Sequence, residues 1–456
     1  MDSAPTHHFD AIVLGCGVSG MTVAHTLTTE GARCVVIDPY ADAGGNHISR
    51  IIDGLEFDIG AIYFHTTDRQ FELFPSLVED CRPVKVKLAK LNRFGTLNHF
   101  PLDLRGDLGG ARMALLVPSF LEAYARRALG GSPKNTEDYV RTRIGTWLYN
   151  ESGLASYIHR VFGIAPSDID ASFARDRLGW LNRRSSLRYQ IMRQLGFDKR
   201  ISVSNHAVVR GPGGFSQYYT KATDALSSMG VDVRLGTAIN AITRQGNTTT
   251  VHTEAGSLSA ERVVSTIPLP IAAQLAGIEV PRLDHVRLLS LFVESTSPLA
   301  TDTQIIYNFN RLGHWKRITV HSAFYGPDSG RTGLTVEVPI APDRRRPTES
   351  AEPDIEAEFD DFARSAMQNG LARAPLTLLG SHILDYGYPI LDVGCIERRA
   401  VAMEQLATAG IMTLGRQGGF DYLPSSTRTV RAAQDRLGRF TADVQTNSSN
   451  KQSLDI

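Results

Sequence analysis

Apolar and polar positions near the start of this chain fall into a strand, a glycine turn, a helix and a second strand. Ala11-Ile12-Val13-Leu14 is an unbroken apolar run of the length of a buried strand. Met21 to Thr29 suits a helix, and Arg33-Cys34-Val35-Val36-Ile37 is a second apolar run, closed by Asp38. Alternation returns after about residue 205. Val231 to Leu235, Ala238 to Ile242, Thr248 to Thr253 and Arg262 to Thr266 read as strands, and Ser216 to Met229 reads as a helix. Leu289 to Val293, Gln304 to Tyr307 and Gly333 to Val338 are further strand-like runs, with a helical segment from Ile355 to Asn369. Residues 397–441 return to an α/β pattern, with a strand at Ile411 to Leu414 and a helix from Thr427 to Arg439. Between residues 68 and 205 the pattern is mainly helical. Residues 1–8 and 442–456 lack periodicity and are expected to be disordered tails.

The turn between the first strand and its helix gives the pattern a chemical meaning. Gly15-Cys16-Gly17-Val18-Ser19-Gly20 is a complete G-x-G-x-x-G. Gly15 permits the tight turn, Gly17 lets backbone approach a pyrophosphate, and Gly20 lets helix and strand pack closely. The helix N-terminus presents free N–H groups and the positive end of its dipole to that pyrophosphate, with Val18 and Ser19 in its first turn. Asp38 ends the second strand, where a carboxylate accepts from ribose hydroxyls. A glycine-rich surface turn would leave Asp38 as a coincidence. A dinucleotide-binding unit of the Rossmann type accounts for all five parts, and the fold class is α/β.

Composition narrows the partners. Forty-eight basic and 48 acidic residues cancel, which argues against nucleic acid as a bulk electrostatic partner. No run approaches 18 consecutive apolar residues, so no membrane span is expected. Cys16, Cys34, Cys81 and Cys395 show no C-x-x-C spacing and read as reduced, structural thiols in the cytoplasm. Thirteen histidines show no H-E-x-x-H spacing, so no metal is expected.

Past Asp38, Ala43-Gly44-Gly45-Asn46-His47 and then Gly54 to Gly60 resemble FAD-binding flavoproteins rather than nicotinamide dehydrogenases. Further blocks extend the resemblance over about residues 9–441. They are Phe57 to Thr66, Phe100-Pro101-Leu102, Tyr157 to Leu178, Gly211 to Phe215, Ser265 to Pro270, Trp315-Lys316-Arg317-Ile318, and Tyr388-Pro389-Ile390 with Leu414 to Gly418 and Tyr422. Together they resemble the FAD-dependent superfamily that contains protoporphyrinogen oxidase, amine oxidases, desaturases and UDP-galactopyranose mutase. The C-terminal block favours the branch near the mutase. Where mutases carry a histidine before the phenylalanine of the flavin-side loop this chain has Ile62. Where they carry a helix-end tryptophan it has Phe162, and their C-terminal tyrosine pair becomes Tyr422-Leu423. These departures weaken a diphosphate grip without removing the flavin.

The resemblance implies a discontinuous FAD-binding domain of residues 9–67, 205–275 and 386–441. It implies a mainly helical insert at 68–204 and a β-rich, substrate-binding α+β insert at 276–385. The implied cofactor is FAD, held by Gly15, Gly17, Val18, Ser19, Gly20, Asp38, Gly44, Gly45, Asn46, Gly60, Ile62, Ile239, Gly415, Arg416 and Tyr422. Arg317, His65 and Arg416 are the candidate catalytic residues. Arg317 is expected to point into the cavity over the flavin and Lys316 to face the other way, by strand alternation. Each candidate has a plainer alternative: a solvated strand arginine for Arg317, a structural ion pair for Arg416, a half-buried histidine for His65. Tyr63 and Tyr422 read equally as flavin-side or core aromatics, and Arg175, Arg177, Arg183 and Arg184 as an anion-facing group or a solvated helix face. The implied reaction is hydride transfer from a small molecule, anionic or sugar-containing, to flavin N5. The alternative is redox-neutral ring mutation of a nucleotide sugar. A homodimer is left open.

Asp38→Ala should weaken FAD retention about tenfold to a hundredfold, the usual consequence of losing a charge-assisted hydrogen bond. Asp42→Ala should not, because Asp42 lies outside the strand end. Equal dissociation constants for FAD in the two variants would contradict the assignment of Asp38.

Overall fold

The computed structural model describes residues 7–60, 62–108, 114–179, 181, 207–326, 330–342 and 352–438. The first sheet is built on β1 (His7–Leu14), which starts four residues before the apolar run that predicts it. On one side β1 pairs in parallel with β2 (Cys34–Ile37), and β2 with β10 (Asp232–Arg234). On the other side it pairs with β13 (Gly256–Ser265), which carries the antiparallel strands β12 (Thr248–Thr253) and β11 (Ile239–Gln245). The C-terminal strand β19 (Ile411–Thr413) also pairs in parallel with β13.

The apolar run of β1 explains why layers cover both faces of this sheet. Ala11 and Val13 pack with Val23, Ala24 and Leu27 of α1 (Val18–Thr29) and with Phe215, Tyr219 and Leu226 of α5 (Gly214–Ser228). Ile12 and Leu14 point the other way, to Leu269, Ala272 and Leu406. All four residues of the run are fully buried, as strands in a parallel sheet covered on both sides must be.

The second sheet has the order β18-β14-β17-β16-β15-β7-β8. Its strands are β7 (Leu88–Leu91), β8 (Leu97–His99), β14 (His285–Ser295), β15 (Ile305–Asn308), β16 (Arg317–Val320), β17 (Thr332–Ile340) and β18 (Leu376–Pro389). Leu289, Leu291 and Val293 of β14 face Trp315 and α6 (Ile355–Gln368). Leu288 and Phe292 face the hairpin of β3 (Ile48–Ile52) and β4 (Leu55–Ile59). A small third sheet joins β5 (Phe64–His65), β9 (Ala207–Val209) and β6 (Arg82–Pro83).

Two expected boundaries change. The stretch expected to be helical, 68–204, contributes β7 and β8 to the second sheet, β7 pairing in parallel with β15. These strands are too short to show a period of two. Strand β18 runs through the expected boundary at 385/386, so residues 386–389 belong to the second sheet. The helices of that stretch include α2 (Leu116–Leu129), α3 (Thr136–Glu151) and α4 (Ala171–Arg177). The expected disordered tails lie outside the described residues, except that His7 and His8 belong to β1.

A buried ion pair ties the β3–β4 hairpin to its surroundings. Asp58 and Arg210 are 2% and 1% exposed. Arg210 Nη2 donates to Asp58 Oδ1 at 2.7 Å, and its Nε lies 3.0 and 3.1 Å from the two carboxylate oxygens. The Tyr325 and Ser49 hydroxyls donate to the same carboxylate at 2.6 and 2.5 Å. The Asp58 N–H donates to His321 Nε2 at 3.3 Å. Removing one member leaves the other charge buried. Asp58→Ala should therefore lower the unfolding free energy by about 3–5 kcal/mol. Urea denaturation checks this, and a loss below about 1 kcal/mol would mean that Glu56, 2.8 Å from Arg210, holds the guanidinium alone.

Candidate active site

A cavity of about 820 Å³ opens where the first sheet's parallel strands end. Gly15 follows β1, Asp38 follows β2, Thr266 to Pro268 follow β13, and Arg416 lies just past β19, and all of them line it. Ligands of open α/β sheets bind outside the carboxyl ends of the strands in this way. The far wall comes from the second sheet: Ile305, Tyr307 and Arg317, and residues 383–386 of β18.

The nucleotide end follows the fingerprint. Gly17 caps α1 without a side-chain hydrogen bond, so the first N–H groups of the helix are free to face the cavity beside Val18 and Ser19. A β-carbon on Gly20 would come 1.8 Å from the Gly15 carbonyl oxygen, so helix and turn touch backbone to backbone. Asp38 lines the cavity and also braces its floor. Its Oδ2 accepts from the Cys16 N–H at 2.6 Å and its Oδ1 from the Tyr40 N–H at 2.8 Å. Burial raises its pKa, and those two N–H groups oppose the rise. Asp42 instead is exposed and accepts from the Ser216 hydroxyl.

Of the residues expected to hold the cofactor, Gly15, Gly17, Val18, Ser19, Asp38, Gly44, Gly45, Asn46, Gly60, Ile62, Ile239 and Arg416 line the cavity. Gly20, Gly415 and Tyr422 do not line it. Gly20 and Gly415 act one layer back: a β-carbon on Gly415 would meet the Ser19 hydroxyl at 2.4 Å. Asn46 and Gln417 both donate to the Tyr386 carbonyl, at 3.0 and 2.5 Å, which joins the loop after β2 to β18 and the C-terminal block. His47, also on the wall, is 2.5 Å from the Tyr219 hydroxyl. Burial, helped by Arg416, pushes its pKa down to about 3, so it is neutral.

The other end is cationic. Arg317 and Arg177 both reach the cavity. Arg317 pairs with Glu337, directly opposite it on β17, and Lys316 Nζ lies 3.0 Å from the same carboxylate. Lys316 thus does not face away. It stands just before β16, where strand alternation has not begun, and its ammonium donates to the Tyr388 hydroxyl at 2.6 Å. Burial pushes the Glu337 carboxyl up, but Arg317 and Lys316 hold it below the usual range, ionised. Burial likewise pushes the Tyr422 phenol up, yet Arg177, Lys316, Arg416 and Arg317 together bring it below its ordinary value. Tyr63 lines the cavity, and burial pushes its phenol up to about 12.

Arg177 is the residue that sequence reasoning underrated. It ends α4 in a run that reads as a solvated face, and both it and Arg175 are exposed, yet its guanidinium lies over the Tyr422 ring at 5.8 Å and lines the cavity. Arg183 and Arg184 lie outside the described residues. His65 lines the cavity, its own N–H donating to Asp68 Oδ2 at 2.9 Å. Arg416 lines it too and donates through Nε to the Leu423 carbonyl at 3.1 Å rather than to a carboxylate. Away from the cavity, His314 Nδ1 meets Glu358 at 3.0 Å and Asp361 at 3.8 Å on the surface, an ordinary exposed pairing.

Comparison with known proteins agrees with this geometry. Residues 18–298, more than half of the chain, match the model of the flavin containing amine oxidoreductases. A protein of Mycobacterium tuberculosis named as a flavin-containing monoamine oxidase is 25% identical over 286 residues. That match spans 58% of this chain and 58% of the relative. Reduced UDP-galactopyranose mutase superposes with a TM-score of 0.75 over 94% of both chains at 16% identity. Cyclohexylamine oxidase of Brevibacterium oxydans does so with 0.62, over 96% of this chain and 99% of its own, at 15% identity. At such identities the superpositions establish the fold. The glycine turn, the free helix N-terminus and the carboxylate after β2 fit FAD, and the chain belongs to the family of flavin-containing amine oxidoreductases.

Proposed function

We propose that this protein oxidises an anionic small molecule at the Arg177–Arg317 end of the cavity. Bound FAD supplies the acceptor for a hydride from a C–N, C–O or C–C bond. The observation that carries the reading is the local charge. Lys316 and Arg317 share a single carboxylate, Glu337, and Arg177 and Arg317 both line the cavity. An ammonium group would enter against this field, whereas a carboxylate or phosphate would complete it. The planar guanidinium of Arg317 suits bidentate capture of such a group. Glu337 orients that guanidinium from behind, and Tyr63 and Tyr307 form the aromatic walls between which a substrate body lies.

The same end supports a second reading, ring mutation of a nucleotide sugar. Two cavity-lining arginines match the charge of a diphosphate, and the mutase superposes over 94% of both chains. A sugar as part of the substrate belongs to this reading. We place the reaction in the cytoplasm on the four cysteines, all free thiols. Among the described residues no helix is long and apolar enough to cross a membrane.

Anaerobic incubation of the oxidised protein with carboxylates, phosphates and amines, watching for flavin bleaching, tests the main reading. Bleaching by an anionic compound supports it, and bleaching by amines alone overturns it. A UDP-sugar that perturbs the flavin spectrum only after reduction, with no compound bleaching, favours the mutase. With a bleaching substrate in hand, Arg317→Ala should reduce kcat/KM about tenfold to a thousandfold, or roughly 1.4–4 kcal/mol, at unchanged FAD content. Arg317→Lys should rescue little, because a point charge cannot reproduce the fork. Arg177→Ala should impair turnover as well. Full activity of Arg317→Ala would move the substrate elsewhere in the cavity.

A further inference from the structure

The helix α2 (Leu116–Leu129) has two apolar faces, and only one is used inside the chain. Leu116, Ser119 and Ala123 are buried, and the Ser119 carbonyl presses on α3 so closely that a β-carbon on Gly145 would come within 2.1 Å of it. The opposite face carries Val117, Leu121, Tyr124 and Leu129, which are 65, 63, 68 and 89% exposed. Leu115 is 44% exposed at the helix start, and Pro118, Ala125 and Ala128 fill the gaps. Val117, Leu121, Tyr124 and Ala128 are spaced i, i+4, i+7, i+11, which is one continuous stripe on a helix. Among the described residues nothing covers it. Isolated exposed apolar side chains need no explanation, but a stripe of this kind marks an interaction site.

We infer that this stripe packs against the same stripe of a second copy of the chain, with the two α2 helices antiparallel about a two-fold axis near Leu121 and Tyr124. Three observations select that occupant. The stripe of Val117, Leu121, Tyr124 and Ala128 is self-complementary about its middle, an antiparallel copy setting Val117 against Ala128 and Leu121 against Tyr124. Each pairing then occurs twice, as an isologous contact requires. The area also counts. An aliphatic side chain hides on the order of 100 Å² and a tyrosine roughly 150–250 Å². At their exposures the five large side chains supply on the order of 400 Å², with Pro118, Ala125 and Ala128 adding to it, toward the about 800 Å² per partner of a specific interface. Finally, the helix's own cations are committed. Arg126 donates to Glu122 Oε1 at 2.7 Å and Arg127 to the Ala123 carbonyl at 3.4 Å, whereas a lipid-surface helix rims its apolar face with free lysines and arginines. The pairing has a bearing on the cavity, because α2 packs on α3, and α3 on α4, which ends at Arg177.

Sedimentation equilibrium of the full-length FAD-loaded protein tests this. The wild type should show a monomer–dimer equilibrium. Leu121→Glu and Tyr124→Glu should each raise the dissociation constant at least about tenfold, since the two-fold axis places every substitution twice. FAD content should not change. Leu121→Cys should give a disulfide-linked dimer on mild oxidation, while Val401→Cys, also exposed but on another helix, should not. A wild type that stays monomeric, a dimer indifferent to Leu121→Glu, or a Leu121→Cys that does not cross-link would each overturn the inference. A monomer that sediments with phosphatidylcholine/phosphatidylglycerol vesicles, and stops doing so as Leu121→Glu, would overturn it too and assign the face to a membrane surface.

Discussion

Helix α1 meets the turn that precedes it with no side chain between them, and the cavity depends on that contact. A β-carbon on Gly20 would lie 1.8 Å from the Gly15 carbonyl oxygen, well inside any tolerable approach. Because the contact is backbone on backbone, it fixes where the helix N-terminus points, and so where free N–H groups face the cavity. The same economy recurs around the rim. Gly415 touches Ser19, and a β-carbon on Gly60 would come 2.3 Å from the Asn46 carbonyl oxygen. Segments 350 or more residues apart thus converge on one wall, which explains how a discontinuous chain makes a continuous site.

The second constraint is the joint between the two large sheets. Asp58 stands two residues before Gly60 and is held by Arg210, Tyr325, Ser49 and His321, groups from three other segments. Parallel packing gives the first sheet its rigidity. The Asp58 network gives the β3–β4 hairpin a fixed seat against the second sheet, which brings Arg317 and Tyr307 to face the nucleotide end. Burying this much charge is tolerable only because every charge is met by a partner.

Much of this was legible in the sequence, and the exceptions have physical causes. The nucleotide end was readable because its chemistry is carried by backbone: glycine positions and one strand-ending acid specify it locally. Twelve of the fifteen residues expected to hold the cofactor do line the cavity; of the other three, Gly20 and Gly415 pack against lining residues and Tyr422 lies under the guanidinium of lining Arg177. The substrate end is built from side chains on separate segments, and there local patterns mislead. Strand alternation misplaces Lys316 because it applies only inside a strand, and β16 begins one residue later. Arg177 looks like its neighbour Arg175, since nothing local says that the end of α4 lies beside Tyr422. Strands β7 and β8 are four and three residues long, too short for any periodicity to separate them from loop.

The class of substrate depends on the sign of the field at the substrate end. Amine chemistry, which the family description names, calls for a cavity that admits a cation or its neutral form. Here Arg317 and Lys316 share one Glu337, and together with Arg177 they bring the Tyr422 phenol below its ordinary pKa despite burial. The direct measurement is a spectral titration of the oxidised, FAD-loaded protein with two ligands of matched shape and opposite charge, phenylacetate and phenethylamine. The predicted result is that phenylacetate perturbs the flavin band with a dissociation constant at least about tenfold lower, a difference of roughly 1.4 kcal/mol, and that raising the salt concentration narrows the gap. Tighter binding of phenethylamine would contradict the account.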